Sequence, residues 1–338
     1  MRKLLIITLT ALLASCDNEI DPVAESSGNI LILNEGNFGS GNATIGLYST
    51  DDTTYTETTF QSANGFFIGD VLQSISVEGE MAYAVLNGSN KVEAFSLTDF
   101  STVETLTDTV IDKPRYLAIT GNTAYLTIWG TYGENFSLVD SKVGIINLND
   151  FTLEKSIDTA PGVEQIIAAD GKLYVTRNFF GAYSNLTIID AVSQTIITDI
   201  ELPAGPDEVF IDEANRVWVA CTSGKIVEID KANNTIAQTI DVADEIFADV
   251  ALYNNELYFI EGESVKKINL DSQAVTTVLT GLSFDLLYAF DVNPFNGDIY
   301  IGDGIAFGSE GKVLHYNASG DLVASFTSGI LPTAFIFR

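Results

Sequence analysis

One aromatic position recurs along this chain and constrains its fold more than any other feature. Tyr83 in Met-Ala-Tyr-Ala-Val, Tyr125 in Thr-Ala-Tyr-Leu-Thr and Tyr174 in Lys-Leu-Tyr-Val-Thr open the series, and Trp218, Tyr258 and Tyr300 continue it. The interval is roughly 40 to 50 residues, the period of a four-stranded propeller blade. Each aromatic follows a turn signal, such as Gly121-Asn122, Asp170-Gly171 or Asn296-Gly297, and so reads as the centre of a second strand. A third strand of period two comes next, at residues 91–95, 225–229 and 264–268, and then a Thr-rich fourth. No helix-period segment of useful length interrupts the series. WD40 and kelch signatures are absent, so spacing and strand pattern carry the architecture.

The two ends complete the count. Residues 330–338 look like the first strand of one more unit, with no room left for the rest of it. The chain from Gly28 to Leu33 looks like a second strand that lacks its first. Pairing the two closes the array into a ring with few open edges. The expectation is an all-β, seven-bladed β-propeller of four-stranded blades, closed by the C-terminal strand on the N-terminal blade. The first blade spans residues 29–60 and borrows 333–338. The others cover residues 70–107, 113–159, 162–202, 205–242, 247–281 and 286–328, in one domain from 29 to 338.

Residues 1–15 read as a signal peptide, with Arg2 and Lys3 ahead of a short apolar run from Leu4 to Leu13. That run is too short to span a bilayer as a helix. Leu13-Ala14-Ser15-Cys16 resembles the lipobox of bacterial lipoproteins, which makes Cys16 the lipidated residue and residues 16–28 an acidic linker. The acidic stretch after it resembles an export tag for the outer face of the outer membrane. The expected location is therefore the outer membrane, held by the lipid anchor only and facing the exterior. With Cys16 so used, Cys221 has no disulfide partner, and its apolar surroundings suit a small buried residue.

Sixteen Lys and Arg stand against 46 Asp and Glu, a net charge of -30. Such a field repels nucleic acid and anionic lipid, so phosphate-backbone binding is excluded first. No EF-hand-type calcium loop occurs.

Several stretches carry a family resemblance over the whole chain after the signal peptide. They are Ile32-Leu33-Asn34-Glu35-Gly36-Asn37-Phe38-Gly39-Ser40-Gly41-Asn42, then Gly69-Asp70-Val71-Leu72-Gln73-Ser74-Ile75, and Phe290-Asp291-Val292-Asn293-Pro294 with Asp298-Ile299-Tyr300. They are similar to the YncE-like propeller lipoproteins, a group that includes the BtuG proteins, which capture cobalamin beside an outer-membrane transporter. The resemblance implies an envelope propeller that binds a small molecule, with a corrinoid as candidate ligand and a transporter as candidate partner. It carries over no site residue, because no motif defining a cobalamin site is matched.

In a propeller the loop entering the first strand and the loop joining strands two and three open on one face. Here that face has the long loops, at residues 34–42, 129–141, 178–185 and 303–311, while the opposite turns are short, as at 78–80, 170–171 and 254–255. Function is expected on the long-loop face. Its loops carry Phe38, Trp129, Tyr132, Phe136, Phe179, Phe180, Tyr183 and Phe307, with Phe66 and Phe67 nearby. Aromatics in Gly-rich loops either tuck over blade edges or give a ligand a large rigid contact area. Alignment back from the repeat aromatic puts Gln73, Arg115, Glu164, Asp207, Ala248, Tyr288 and Thr333 around the central mouth. Such a ring could orient a polar ligand or simply hold water.

Catalysis has little to work with. His315 is the single histidine and lies in a strand far from the long loops, which leaves no Ser-His-Asp arrangement near them and no multi-histidine metal site. No cofactor is expected. Three readings follow: a ligand-binding module; a protein-interaction platform or transporter accessory subunit with no small-molecule site; and, least supported, a carboxylate-based hydrolase.

Overall fold

A computed structural model of the protein describes residues 28–338. The expected signal peptide, Cys16 and the linker up to residue 27 lie outside the described residues. The described chain forms seven four-stranded antiparallel sheets, which are the blades of a β-propeller. Six blades take their strands in chain order from the inside out. The remaining one begins with the C-terminal strand Pro332–Phe337, followed by Asn29–Asn34, Thr44–Ser49 and Thr54–Thr56. Ile30 lies opposite Phe337 and Ile32 opposite Phe335. The ring therefore closes as its ends suggest.

The repeat aromatics sit in second strands that are buried on both faces, between adjacent blades. Trp218, Tyr174 and Tyr300 are fully buried. Trp218 donates through Nε1 to Asp212 Oδ2 at 2.9 Å, and Tyr300 stacks on His315 with ring centroids 4.4 Å apart. His315 in turn lies 3.0 Å from the Tyr48 hydroxyl and 3.0 Å from Asp298 Oδ2. It thus links the seventh blade to the first, deep in the seam that closes the ring. Cys221 is buried in the fifth blade, where loss of solvation pushes its thiol up to about 12 and makes it a poor nucleophile.

One helix, Thr59–Asn64, departs from the expectation of strands alone. It is too short for a 3.6-residue period to show in the sequence. Its Phe60 is buried against Phe95, with ring centroids 5.4 Å apart, and it covers the flank of a blade whose outer strand is only Thr54–Thr56. Gly65 ends it in the left-handed region at φ 78°, a conformation glycine reaches without strain.

The entrance to the inner strands positions the site. In six of the seven blades the inner strand carries one extra residue against its neighbour, in the stretches 72–74, 114–117, 163–166, 206–209, 287–289 and 332–334. These bulges hold Gln73, Arg115, Glu164, Asp207, Tyr288 and Thr333. A bulge breaks the alternation of a strand, so consecutive side chains can both turn toward the axis. Hydroxyls stitch neighbouring blades at this level: Ser74 donates to Arg115 O at 2.7 Å, Thr127 to Glu164 O at 2.6 Å and Thr176 to Asp207 O at 2.9 Å.

Candidate functional site

Long loops and bulges converge on a cavity of about 370 Å³ at the mouth of the ring. Ten of the side chains expected there line it. Phe38, Trp129, Tyr132 and Phe180 supply aromatic wall, while Gln73, Arg115, Asp207, Ala248, Tyr288 and Thr333 come from the ring. A second space of about 260 Å³ continues into the central channel, sharing Gln73, Tyr116, Asp249 and Thr333 with the first.

The aromatic wall is a cluster built by two adjacent loops. Trp129 meets Phe179 edge-on at 5.0 Å and Phe180 at 5.8 Å, and Tyr132 stacks on Phe136 at 4.7 Å. Phe179 and Phe180 adopt φ of 47° and 53°, a left-handed backbone that costs a bulky residue about 1 to 3 kcal/mol. Asn178 holds that turn, its Oδ1 accepting from Gly181 N at 2.7 Å and its Nδ2 donating to Asp207 at 3.0 Å. The result buries Phe179 and leaves Phe180 78% exposed. Phe38 is 85% exposed on a loop that Asp70 anchors by accepting from Gly39 N at 2.8 Å.

The polar ring centres on Arg115. Its guanidinium lies 4.0 Å over the Trp129 ring, donates from Nε to Glu164 at 2.8 Å and from Nη1 to Gln73. The other Glu164 oxygen accepts from Trp129 Nε1 at 3.0 Å. Tyr288 donates to Glu35. Among the residues lining the mouth, Arg115 is the one cation, against Glu35, Asp207 and Asp249.

Below the mouth the carboxylates continue with Glu208 and Asp291. Asp249 accepts from Phe290 N at 3.1 Å and Glu208 from Val250 N at 3.0 Å, each reaching to the next blade. Burial pushes all of these acids upward: Asp291 and Glu164 to about 7, the latter against the pull of Arg115, and Glu208 and Asp249 well above the usual carboxylate range. Glu35 and Asp207 are raised for the same reason.

Five expected site residues stand elsewhere. Glu164 is buried behind Arg115 as its counter-ion, and Phe179 is buried beneath the wall. Tyr183 packs on that same cluster. Phe136 backs Tyr132 outside the cavity, and Phe307, 78% exposed, stands on the rim beside Tyr288 at 6.5 Å. Sequence reasoning missed Glu35, Val71, Asn87, Tyr116, Phe247 and Asp249. Tyr116 and Asp249 directly follow the expected ring residues Arg115 and Ala248. At Arg115 and Tyr116 a bulge doubles the axis-facing positions, whereas Asp249 precedes Val250, the first residue of the inner strand in the blade without a bulge. Among the described residues no group of three or more His, Cys, Asp or Glu is placed to hold a metal ion.

Comparison with known proteins adds the fold and a family. None of the curated proteins matches the chain. Among solved structures it is similar to the hydrazine synthase of Kuenenia stuttgartiensis, with a TM-score of 0.60 and 14% identity over 77% of this chain and 87% of that one. At that identity the likeness is one of fold alone. A family model described as a domain of unknown function, DUF5074, matches residues 28–327, and the chain belongs to that family.

Proposed function

We propose that this propeller is a ligand-binding module that captures a bulky amphipathic small molecule at the mouth of its long-loop face. The observation that carries this reading is the convergence of an aromatic wall and a polar ring on one cavity. An apolar ligand surface would lie on Phe38, Tyr132 and Phe180, which stand exposed, and its hydrogen-bonding groups would meet Gln73, Asp207 and Tyr288. A corrinoid is the specific candidate, named by the resemblance to the cobalamin-capturing propellers.

Cyanocobalamin titrated calorimetrically against the chain from residue 17 onward tests this. Phe180→Ala and Tyr132→Ala each weaken binding by roughly 1 to 3 kcal/mol where they are hot spots, with the melting curve unchanged. Arg115→Ala is a poorer probe, since it strands Glu164 as a buried carboxyl without its cation. Asp170→Ala, on the opposite face, changes nothing. Absence of binding at micromolar concentration removes the corrinoid, and loss of binding only through short-turn variants moves the site to the other face.

We further propose that the protein works at the outer membrane, anchored through Cys16, beside a transporter that receives the ligand. Asn29 pairs with Ser49 and Asn34 with Thr44, so the chain enters the fold on the short-turn face, opposite the mouth. An anchor upstream of it leaves the mouth unobstructed. Cys16→Ser should release the protein into the soluble fraction, because a lipid chain is the proposed hold on the membrane. A variant that still pellets with outer membranes is held by something other than that lipid.

A further inference from the structure

The mouth is walled unevenly. Blades one, three, four and seven raise long loops around it, but in blade six the strands Glu256–Glu261 and Ser264–Asn269 are joined by Gly262 and Glu263 alone. The inner strand of that blade begins only at Val250, and its ring position is Ala248, where the other blades carry Gln73, Arg115, Glu164, Asp207, Tyr288 and Thr333. A low wall and a short side chain open the mouth sideways.

The opening leads into a further cavity of about 560 Å³, which shares Phe247 and Ala248 with the mouth. Phe247, Ile260, Phe284 and Leu287 make it largely apolar, with Thr222 at one side and Glu245 at the outer rim. Phe247, Phe284 and Leu287 are partly buried side chains packed on the core between blades six and seven. They are therefore held in place, with one face left toward the groove. Charge is distributed unevenly as well. The one cation of the mouth is already engaged by Glu164 and Gln73, while Asp207 and Asp249 face the cavity on the side where the groove opens.

We propose that mouth and groove form one continuous two-part site for a cationic amphiphile, with its charged head over the carboxylates of the mouth and an apolar arm laid across blade six against Phe247, Phe284 and Leu287. This rests on the proposed binding function of the mouth and names a ligand class for it other than the corrinoid. The groove takes apolar chain because Phe247, Ile260, Phe284 and Leu287 line it, and each buried methylene then tightens binding by about fourfold. The head is cationic because a positive group beside Glu35, Asp207 and Asp249 favours their ionised forms against the burial that raises them, whereas an anion would meet no unengaged positive partner.

The test is calorimetric titration of the chain from residue 17 onward, which contains every described residue, with hexyl-, octyl- and decyltrimethylammonium below their micelle-forming concentrations and decanoate as the anionic counterpart. Affinity is expected to rise by about fifteenfold for each two-carbon step until the groove is filled, and decanoate to bind at least about tenfold more weakly than the decyl cation. Phe284→Ala, which removes the far wall, should abolish most of that chain-length gain while leaving the hexyl compound within about twofold of its wild-type affinity, and Ala248→Phe, which plugs the junction, should abolish the gain and also weaken the hexyl compound, because Ala248 lines the mouth. Melting curves accompany each variant, and Ala248→Leu replaces Ala248→Phe if the latter is destabilised. A chain-length gain that survives both variants, or decanoate binding as well as the decyl cation, overturns the proposal. Phe180→Ala and Tyr132→Ala separate the two readings. If they weaken every chain length alike while the groove variants do nothing, only the groove fails; if they have no effect on any probe, the binding function of the mouth fails with it.

Discussion

Deletion of residues 332–338 is expected to lower stability by at least about 5 kcal/mol, because it removes a whole strand ladder together with a buried phenylalanine. Phe335 is 3% exposed and lies in the cluster with Ile30, Ile32, Tyr48 and Tyr300. Phe337 and Ala334 pack beside that seam, so the loss reaches both neighbouring blades. Without its inner strand the first blade presents Asn29–Asn34 as an open edge toward the axis, and an unpaired edge of apolar residues invites association. Urea unfolding of the truncated and full chains reads the difference directly. A truncated protein that unfolds within about half a kcal/mol of the full one would mean that the ring does not depend on its closing strand.

The second large effect concerns pH. Burial raises Asp291 from 3.8 to about 7, so its contribution to stability is complete below the unfolded value, falls as pH rises through about 7, and is gone above it. Glu164 follows the same window, and Glu208 and Asp249 extend it upward. The protein is thus expected to be more stable at pH 5.5 than at pH 8.5, by roughly 2 kcal/mol for Asp291 alone, less whatever the water of the channel screens. The surface carboxyls held low by turn hydrogen bonds, such as Asp99 and Asp230, lose their stabilising effect only below about pH 4 and leave this window untouched. Asp291→Asn should flatten the profile and raise stability at pH 8.5. Equal unfolding free energies at both pH values, or a rise toward alkaline pH, would show that the channel acids ionise without cost.

The architecture was legible because a propeller repeats. A local pattern that a single strand leaves ambiguous becomes decisive when Tyr83, Tyr125, Tyr174, Trp218, Tyr258 and Tyr300 place it in six blades with the same turns around it. The closing strand was legible for the same reason: residues 332–337 fill a place that the other blades define. Loop length and aromatic content also follow from the chain alone, and they directed attention to the face where Phe38, Trp129, Tyr132 and Phe180 line a cavity.

Three things were decided only in three dimensions. Which aromatics stand open was one, since Phe179 and Phe180 are neighbours of identical chemistry, and a left-handed backbone turns one inward and the other outward. The partnership of Arg115 with Glu164 was another. Those residues lie 49 positions apart, and only the docking of adjacent blades makes the glutamate a buried counter-ion in place of a free ligand contact. The last was the line of raised acids in the channel. A period-two reading assigns alternate residues to the axis, whereas the bulges at the inner-strand entrances turn pairs such as Asp207 and Glu208 toward it together. The repeat sets the number of blades and the place of each strand, because periodicity is a property of the chain. The character of the mouth arises from backbone irregularity and from contacts between blades, which no window of sequence contains.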